Sequence, residues 1–365
     1  MKKRISIIAL MLVLVTLISA CSMPSTIQKD SEVTPENLQE GNNYNAVMEK
    51  LSNTNSSNTH VWPWEDDSIT LPPFTGPVTE AGTIHSLKVL AIGDSSSKDS
   101  MQFLAKLAIE AGIEDVKIGM LYRNAGGALD GQWNDFKNNS SAYTYYEDTG
   151  AGWVTTSDAK AQDVLKAEKW DYVIIHQNLC LHPDNSTYGV LADFVNAIDS
   201  ILRDGSGENT NKNPEAEIAW MQIWAYEINN RNNLYNHTKY YKNPTTGNYD
   251  QMLMYTTAVE TIKEKVVPQN NIDKIIPIGT AIQNMREAYW SDGLTKDAEF
   301  LTNTGKVAAA VAMFKSLTGY DINGMELSDS VFDHARPHLG VIKESANNAY
   351  LTPFAVTPSV YGTID

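Results

Sequence analysis

The stretch KVLAIGDSSSKDS, Lys88–Ser100, limits what this chain can fold into more than any other part of it. Val89, Leu90, Ala91 and Ile92 form a short continuous apolar run, as expected of a strand buried on both faces of a parallel sheet. Gly93 permits a sharp turn, Asp94 and Ser95 stand where the strand ends, and from Ser100 onward Met101, Leu104, Leu107 and Ala108 recur at helical spacing. Strand, turn and helix make the opening unit of an α/β sheet, whose chemistry collects in the crevice outside the carboxyl ends of its strands. Ser95 is therefore a candidate nucleophile. The competing use is helix capping within the turn Ser95–Ser96–Ser97.

The same strand-then-helix alternation runs on from Leu87 and predicts one α/β domain over residues 83–365. Expected strands are Leu87–Gly93, Val116–Tyr122, Tyr172–His176, Ile218–Ile223 and Ile275–Gly279. Expected helices lie near Met101–Ala111, Ala159–Lys169, Tyr188–Leu202, Gln251–Val267 and Thr304–Leu317. Five strands with intervening helices imply a parallel sheet covered on both faces.

Upstream of the domain the chain changes character. Lys2, Lys3 and Arg4 precede an apolar stretch, Ile5–Ala20, too short for a membrane span and typical of a signal peptide. It ends Ile18-Ser19-Ala20-Cys21, which resembles a bacterial lipobox, so residues 1–20 are expected to be removed and Cys21 to carry the lipid. An acylated Cys21 leaves Cys180 as the other cysteine, with no intrachain disulfide and the character of a small buried hydrophobe. Residues 21–82 read as a Ser/Asn/Pro-rich linker with a low-complexity core, Leu51–Thr59, and a weak helical pattern over Pro35–Leu51. The tract His60–Phe74 is too apolar for a free tether, since it carries Trp62, Trp64 and Phe74, and is expected to dock on the domain. Loss of three of the 28 basic residues and none of the 44 acidic ones takes the formal charge from −16 to −19. Such a surface repels nucleic acid and anionic lipid, which leaves the anchor at Cys21 as the link to a membrane and an extracytoplasmic location as the expectation.

Several blocks, in order, resemble the SGNH/GDSL hydrolases, and more closely their branch known as domain-of-unknown-function family 4886. They are KVLAIGDSSS, Leu121–Trp133 (LYRNAGGALDGQW), Asn138–Tyr146, Lys169–Asn178 (KWDYVIIHQN), Ala219–Tyr226, Tyr249–Tyr255 and Ile278–Leu301. The resemblance implies a three-layer, flavodoxin-like α/β/α sandwich with a five-stranded parallel sheet, no cofactor, and hydrolysis of esters or acyl groups, with a small-molecule or glycan ester as substrate. By the same resemblance Ser95 attacks the carbonyl, and the oxyanion is held by the N–H of Ser95, a glycine N–H (Gly126 or Gly127) and an amide (Gln177, with Asn178 as fallback). An Asp three residues before the catalytic histidine orients the imidazole.

The last block breaks the pattern. Asp297 is in place, but Phe300 occupies the histidine position, ahead of the expected Leu301. A phenyl ring accepts no proton, and serine unaided is a poor nucleophile near neutral pH. Other imidazoles must then be weighed as the base. His176 lies beside Gln177, His182 follows it, and His334 and His338 sit in the tract DHARPH, expected to be a turn in the tail past the last helix. A metal site from His334 and His338 is disfavoured because Pro337 opposes the helix that would align them. Two readings follow. One is a surface ester hydrolase with weak or lost activity. The other is a binding domain without turnover, its crevice lined from among Trp220, Trp224, Tyr226 and Trp290, residues for which core packing is the plainer use.

Overall fold

The computed structural model describes residues 71–361 apart from 72, 80, 81, 228–240, 249, 289–292 and 298. Cys21, the Pro35–Leu51 pattern, Trp62, Trp64 and Trp290 lie outside the described residues.

The apolar run of the opening stretch becomes the central strand β1 (Ser86–Gly93). Along it Leu87, Val89 and Ala91 enter one hydrophobic cluster, and Leu90 and Ile92 enter another on the opposite face. That two-sided burial is why the strand shows no polar alternation. β2 (Asp115–Arg123) pairs with one edge of β1 and β5 (Tyr172–Ile175) with the other, both parallel, and β6 (Glu217–Met221) and β7 (Lys274–Ile276) continue the parallel sheet beyond β5. These five are the expected strands with shifted ends: β1 and β2 run slightly longer, Ile223 lies past β6, and Ile278 already opens a helix.

The sheet is larger and more mixed than expected. β3 (Tyr143–Asp148) and β4 (Val154–Ala159) add antiparallel beyond β2, giving seven strands in the order β4-β3-β2-β1-β5-β6-β7. β4 is exposed along almost its whole length, so the hairpin carries no run of buried apolar residues to betray it.

Helices cover both faces. α1 (Ser95–Met101), α2 (Leu104–Glu110), α7 (Ile278–Ala288), α8 (Asn303–Thr318) and α9 (Leu339–Leu351) bury against the face of Val89. α3 (Leu129–Lys137), α4 (Ala161–Ala167) and α5 (Leu191–Leu202) bury against the face of Leu90. α6 (Gln251–Lys265) sends Met254 and Tyr255 to the first cluster and Ile262 to the second. The three-layer order agrees with expectation; three corrections do not. The first helix starts at Ser95 rather than after Ser100. The tract DHARPH is not a tail, because α9 follows it and packs into the core. Cys180 is not a free thiol: it is disulfide-bonded.

Part of the segment read as linker is packed against the domain. Phe74 lies under the buried Lys315 of α8, with Nζ 3.9 Å from the ring centroid, and tilts against Tyr350 of α9 at 6.1 Å. Thr79 N–H donates to the Gly319 carbonyl at 3.0 Å, just past the end of α8.

The position of the site follows from the strand order. β1 leads to β2 on one side, while β5 leads to β6 on the other, so the connections diverge between β1 and β5. In open α/β sheets the crevice outside the strand ends at such a point is the natural place for a ligand. Ser95 follows β1, and His176, Gln177 and Asn178 follow β5.

Candidate functional site

Asp94 organises the end of β1. It caps α1 by accepting from Ser96 N–H at 2.9 Å through Oδ1. Its Oδ2 accepts from the Asn178 amide at 2.8 Å. Gly127, from the loop after β2, presses against the same carboxylate: a Cβ there would stand 2.3 Å from Oδ2. Three loops thus meet on one buried acid, and Ser95, the next residue, is held partly exposed at their junction.

The imidazole nearest this junction serves another serine. His176 Nε2 lies 2.7 Å from the Ser97 hydroxyl, and Nδ1 lies 2.9 Å from the Gln177 carbonyl. A carbonyl only accepts, so Nδ1 carries the proton, and in the neutral ring Nε2 accepts from Ser97 Oγ–H. Both side chains are fully buried. The close approach requires Gly93, where a Cβ would fall 2.0 Å from Nε2 and 2.6 Å from Ser97 Oγ. Successive helical residues turn by about 100°, so Ser95 and Ser97 diverge by about 200° around α1, one toward the crevice and one toward the sheet. His176 is therefore close to the site, as expected of it, yet engaged by Ser97 rather than Ser95.

The expected oxyanion donors are mostly engaged as well. Gln177 is buried; its Nε2 donates to Thr187 Oγ1 at 2.9 Å, and its Oε1 accepts from the N–H groups of Leu129 and Asn178 at 3.0 and 2.8 Å. The Asn178 amide is on Asp94. Gly126 N–H donates back to the Arg123 carbonyl at 3.2 Å in a positive-φ turn. Ser95 and Gly127 are what remain of that set. Gln132, which the sequence reading did not single out, donates to the His176 carbonyl at 3.0 Å and to the Gly127 carbonyl, tying the two loops together.

The hairpin of β8 (Thr295–Lys296) and β9 (Phe300–Leu301) carries the remaining expected residues. Asp297 sits in its turn with φ of 52° and is exposed, so it buttresses no imidazole. Phe300 is partly buried in β9. The hairpin is fastened at two points. Trp224 Nε1 donates to the Glu299 carbonyl at 2.7 Å, and Leu301 N–H donates to Asp99 Oδ2 of α1 at 2.9 Å. Asp99 is also paired to Lys306 of α8 at 3.1 Å. Glu299 consequently lies among the acids of the β1–α1 corner. Burial first, then the charges of Asp94 and Asp99, push its carboxyl up to about 7. The Tyr122 hydroxyl is raised by burial and then by Asp94, and that of Tyr226 by burial and then by Glu299 and Asp94.

The other sequence-nominated residues lie elsewhere. His334 is exposed, its ring tilted by 45° against that of Phe103 at 6.0 Å, and His338 leads into α9. His182 is buried beneath Tyr188, and burial, with His176 as the lesser cause, pushes it down to about 3. Trp220, Trp224 and Tyr226 are buried in the two clusters rather than offered to a ligand. Tyr122, Tyr146 and Trp153 are joined edge-to-face at 6.3 Å, with Lys98 of α1 over the Tyr146 ring at 4.8 Å. A cavity of about 650 Å³ opens at the opposite, amino-terminal edge of the sheet beside Lys88, Asp171 and Glu217, away from this chemistry. Among the described residues no group of three or more His, Cys, Asp and Glu is placed to hold a metal, and no helix is long and apolar enough to cross a membrane.

Comparison with known proteins agrees with the fold. Residues 88–335 match the family described as a domain of unknown function, DUF4886. The crystal structure of a DUF4886 family protein from Bacteroides uniformis ATCC 8492 is similar at 30% identity with a TM-score of 0.64, over 74% of this chain and 97% of that one. No curated protein matches.

Proposed function

This chain belongs to the DUF4886 family, and from that premise we propose that it is an extracytoplasmic ester hydrolase domain of the SGNH type, acting weakly and without an imidazole base on an acylated, hydroxyl-rich ligand such as a glycan ester. The supporting observation is the position of Ser95, partly exposed at the divergence between β1 and β5, with Asp94 locking the turn that presents it. No imidazole faces it from the expected hairpin, because Phe300 stands there, and His176 is bonded to Ser97.

The test uses the mature chain and Ser95→Ala. Slow hydrolysis of p-nitrophenyl acetate that disappears in Ser95→Ala, together with calorimetric binding of acetylated xylan, supports the proposal. Equal hydrolysis by both proteins, with no binding, overturns it.

A second reading, a ligand-binding domain without turnover, is favoured by the amides of Gln177 and Asn178, both engaged within the protein. It expects acetylated-glycan binding with no Ser95-dependent rate. Lipid attachment at Cys21 belongs to either reading. Mass spectrometry of the mature amino terminus tests that attachment.

A further inference from the structure

We propose that Glu299 is the proton acceptor for Ser95, taking the part an imidazole plays in related sites. This deepens the hydrolase reading and rests on it. Phe300 is the residue that the resemblance sets in the base position, but adjacent residues near a strand send their side chains to opposite sides, so the group reaching the crevice need not be that one. The backbone is fixed on both sides of the position. The Trp224 indole holds the Glu299 carbonyl at 2.7 Å, and Asp99 of α1 holds Leu301 N–H at 2.9 Å. These bonds fasten the hairpin to α1 at Asp99, which lies one helical turn beyond Ser95 on the same face of the helix.

The charged and titratable groups around Glu299 come from every neighbouring element. They are Asp94 from the turn, Asp99 from α1 with Lys306 of α8 paired to it, Tyr122 from β2, and Tyr226 beyond β6. Asp94 and Asp99 have hydrogen-bond or ion-pair partners on both carboxylate oxygens. Glu299 is therefore the acid of this group suited to exchange a proton, and an acceptor tuned near neutrality is matched to the task.

The reaction then balances as an ordinary hydrolysis. Ser95 Oγ bonds to the ester carbonyl carbon while its proton passes to the Glu299 carboxylate. The C–O bond to the alcohol breaks, and the alcohol leaves with that proton. Water attacks the acyl-serine and gives a proton to Glu299, which returns it to Ser95 Oγ as the acid departs.

The experiment measures p-nitrophenyl acetate hydrolysis by the mature chain and by Glu299→Gln, Glu299→Asp and Ser95→Ala across pH 5 to 9. The expected wild-type kcat/KM rises through a pH near 7. Glu299→Gln lowers it by about 100-fold or more and removes the rise, and Glu299→Asp restores part of it. Urea unfolding supplies a readout independent of turnover. Between 4.5 and about 7 the native chain binds a proton at Glu299 that the unfolded chain does not, so stability falls as pH rises through this window. Glu299→Gln is expected to lack that fall, showing that the variant folds and which group titrates. Ser95-dependent turnover retained within about threefold in Glu299→Gln overturns the inference but leaves the hydrolase reading standing. Absence of any Ser95-dependent turnover overturns the inference, while glycan binding then decides for the binding reading.

Discussion

Ser95 and Ser97 stand two residues apart on α1, and they divide between them what a serine nucleophile needs. Ser97 has the imidazole: His176 at 2.7 Å, its tautomer set by a backbone carbonyl. It has no access, being fully buried behind Gly93. Ser95 has access at the point where the strand connections diverge, and the hairpin bonded to α1 at Asp99 carries a phenylalanine and a half-buried glutamate. The comparison teaches that a hydroxyl–imidazole contact of good geometry is not evidence of catalysis until substrate can reach it. Here the pair clamps α1 to the end of β5 and so holds the Asp94 turn in place. Its contribution is to stability, whereas Ser95 is the serine on which the proposed hydrolysis depends.

The strongest way to break this division is to remove the clamp. His176→Ala leaves a cavity at a fully buried site and strips Ser97 of its acceptor, so a loss of about 3 kcal/mol in urea unfolding is expected. Any residual turnover by Ser95, measured at a temperature where the variant is folded, is expected to change little. A large loss of rate in a variant of near-native stability would transfer the chemistry to Ser97.

Acid gives an effect of similar size. The His182 imidazole is buried and pushed down to about 3, against 6.5 when unfolded. Between those values the unfolded chain binds a proton that the native chain does not, so stability falls as pH falls, by about 1.4 kcal/mol per unit. His182→Phe is expected to flatten this slope in unfolding measurements from pH 6.5 to 4. An unchanged slope would assign the acid sensitivity to another group.

Ser97→Ala probes the same clamp more gently. It removes one buried hydrogen bond and leaves Nε2 without its donor, a cost of about 1–2 kcal/mol. Ser95→Ala, at a partly exposed turn position where Asp94 supplies the cap, is expected to change stability by less than about 0.5 kcal/mol. Equal costs at the two positions would erase the distinction between them.

The contrast also explains what the sequence could show. The five parallel strands were legible because burial on both faces forces unbroken apolar runs such as Val89–Ile92. The β3–β4 hairpin was not, since an exposed edge pair needs no such run and Val154–Ala159 has none. Serine's preference for caps and turns hid the start of α1 within Ser95–Ser97. Gly93-Asp94-Ser95 marked the site because one short segment carries its geometry. The Ser97–His176 bond joins residues 79 apart, and no local spacing encodes it. Glu299 escaped for a related reason: alignment compares positions, whereas the reach of a side chain depends on which way a strand-edge residue turns.

Phe300→His sharpens the comparison from the other side by offering Ser95 an imidazole at the position where the resemblance to the SGNH hydrolases implies one. A transplanted base would need an orienting acid and a prepared oxyanion site. Asp297 is exposed in a left-handed turn and does not lie behind position 300 as a buttress. The Gln177 and Asn178 amides are bound to Thr187 and Asp94, so two of the expected donors would have to leave buried or half-buried partners first. The ring at position 300 would thus gain a proton-accepting nitrogen but neither of its usual supports. The expected gain in Ser95-dependent p-nitrophenyl acetate hydrolysis is below about tenfold, or about 1.4 kcal/mol of barrier. A gain of several hundredfold would mean that those amides swing freely onto an oxyanion, and that the site differs from an imidazole-dependent hydrolase by little more than one side chain.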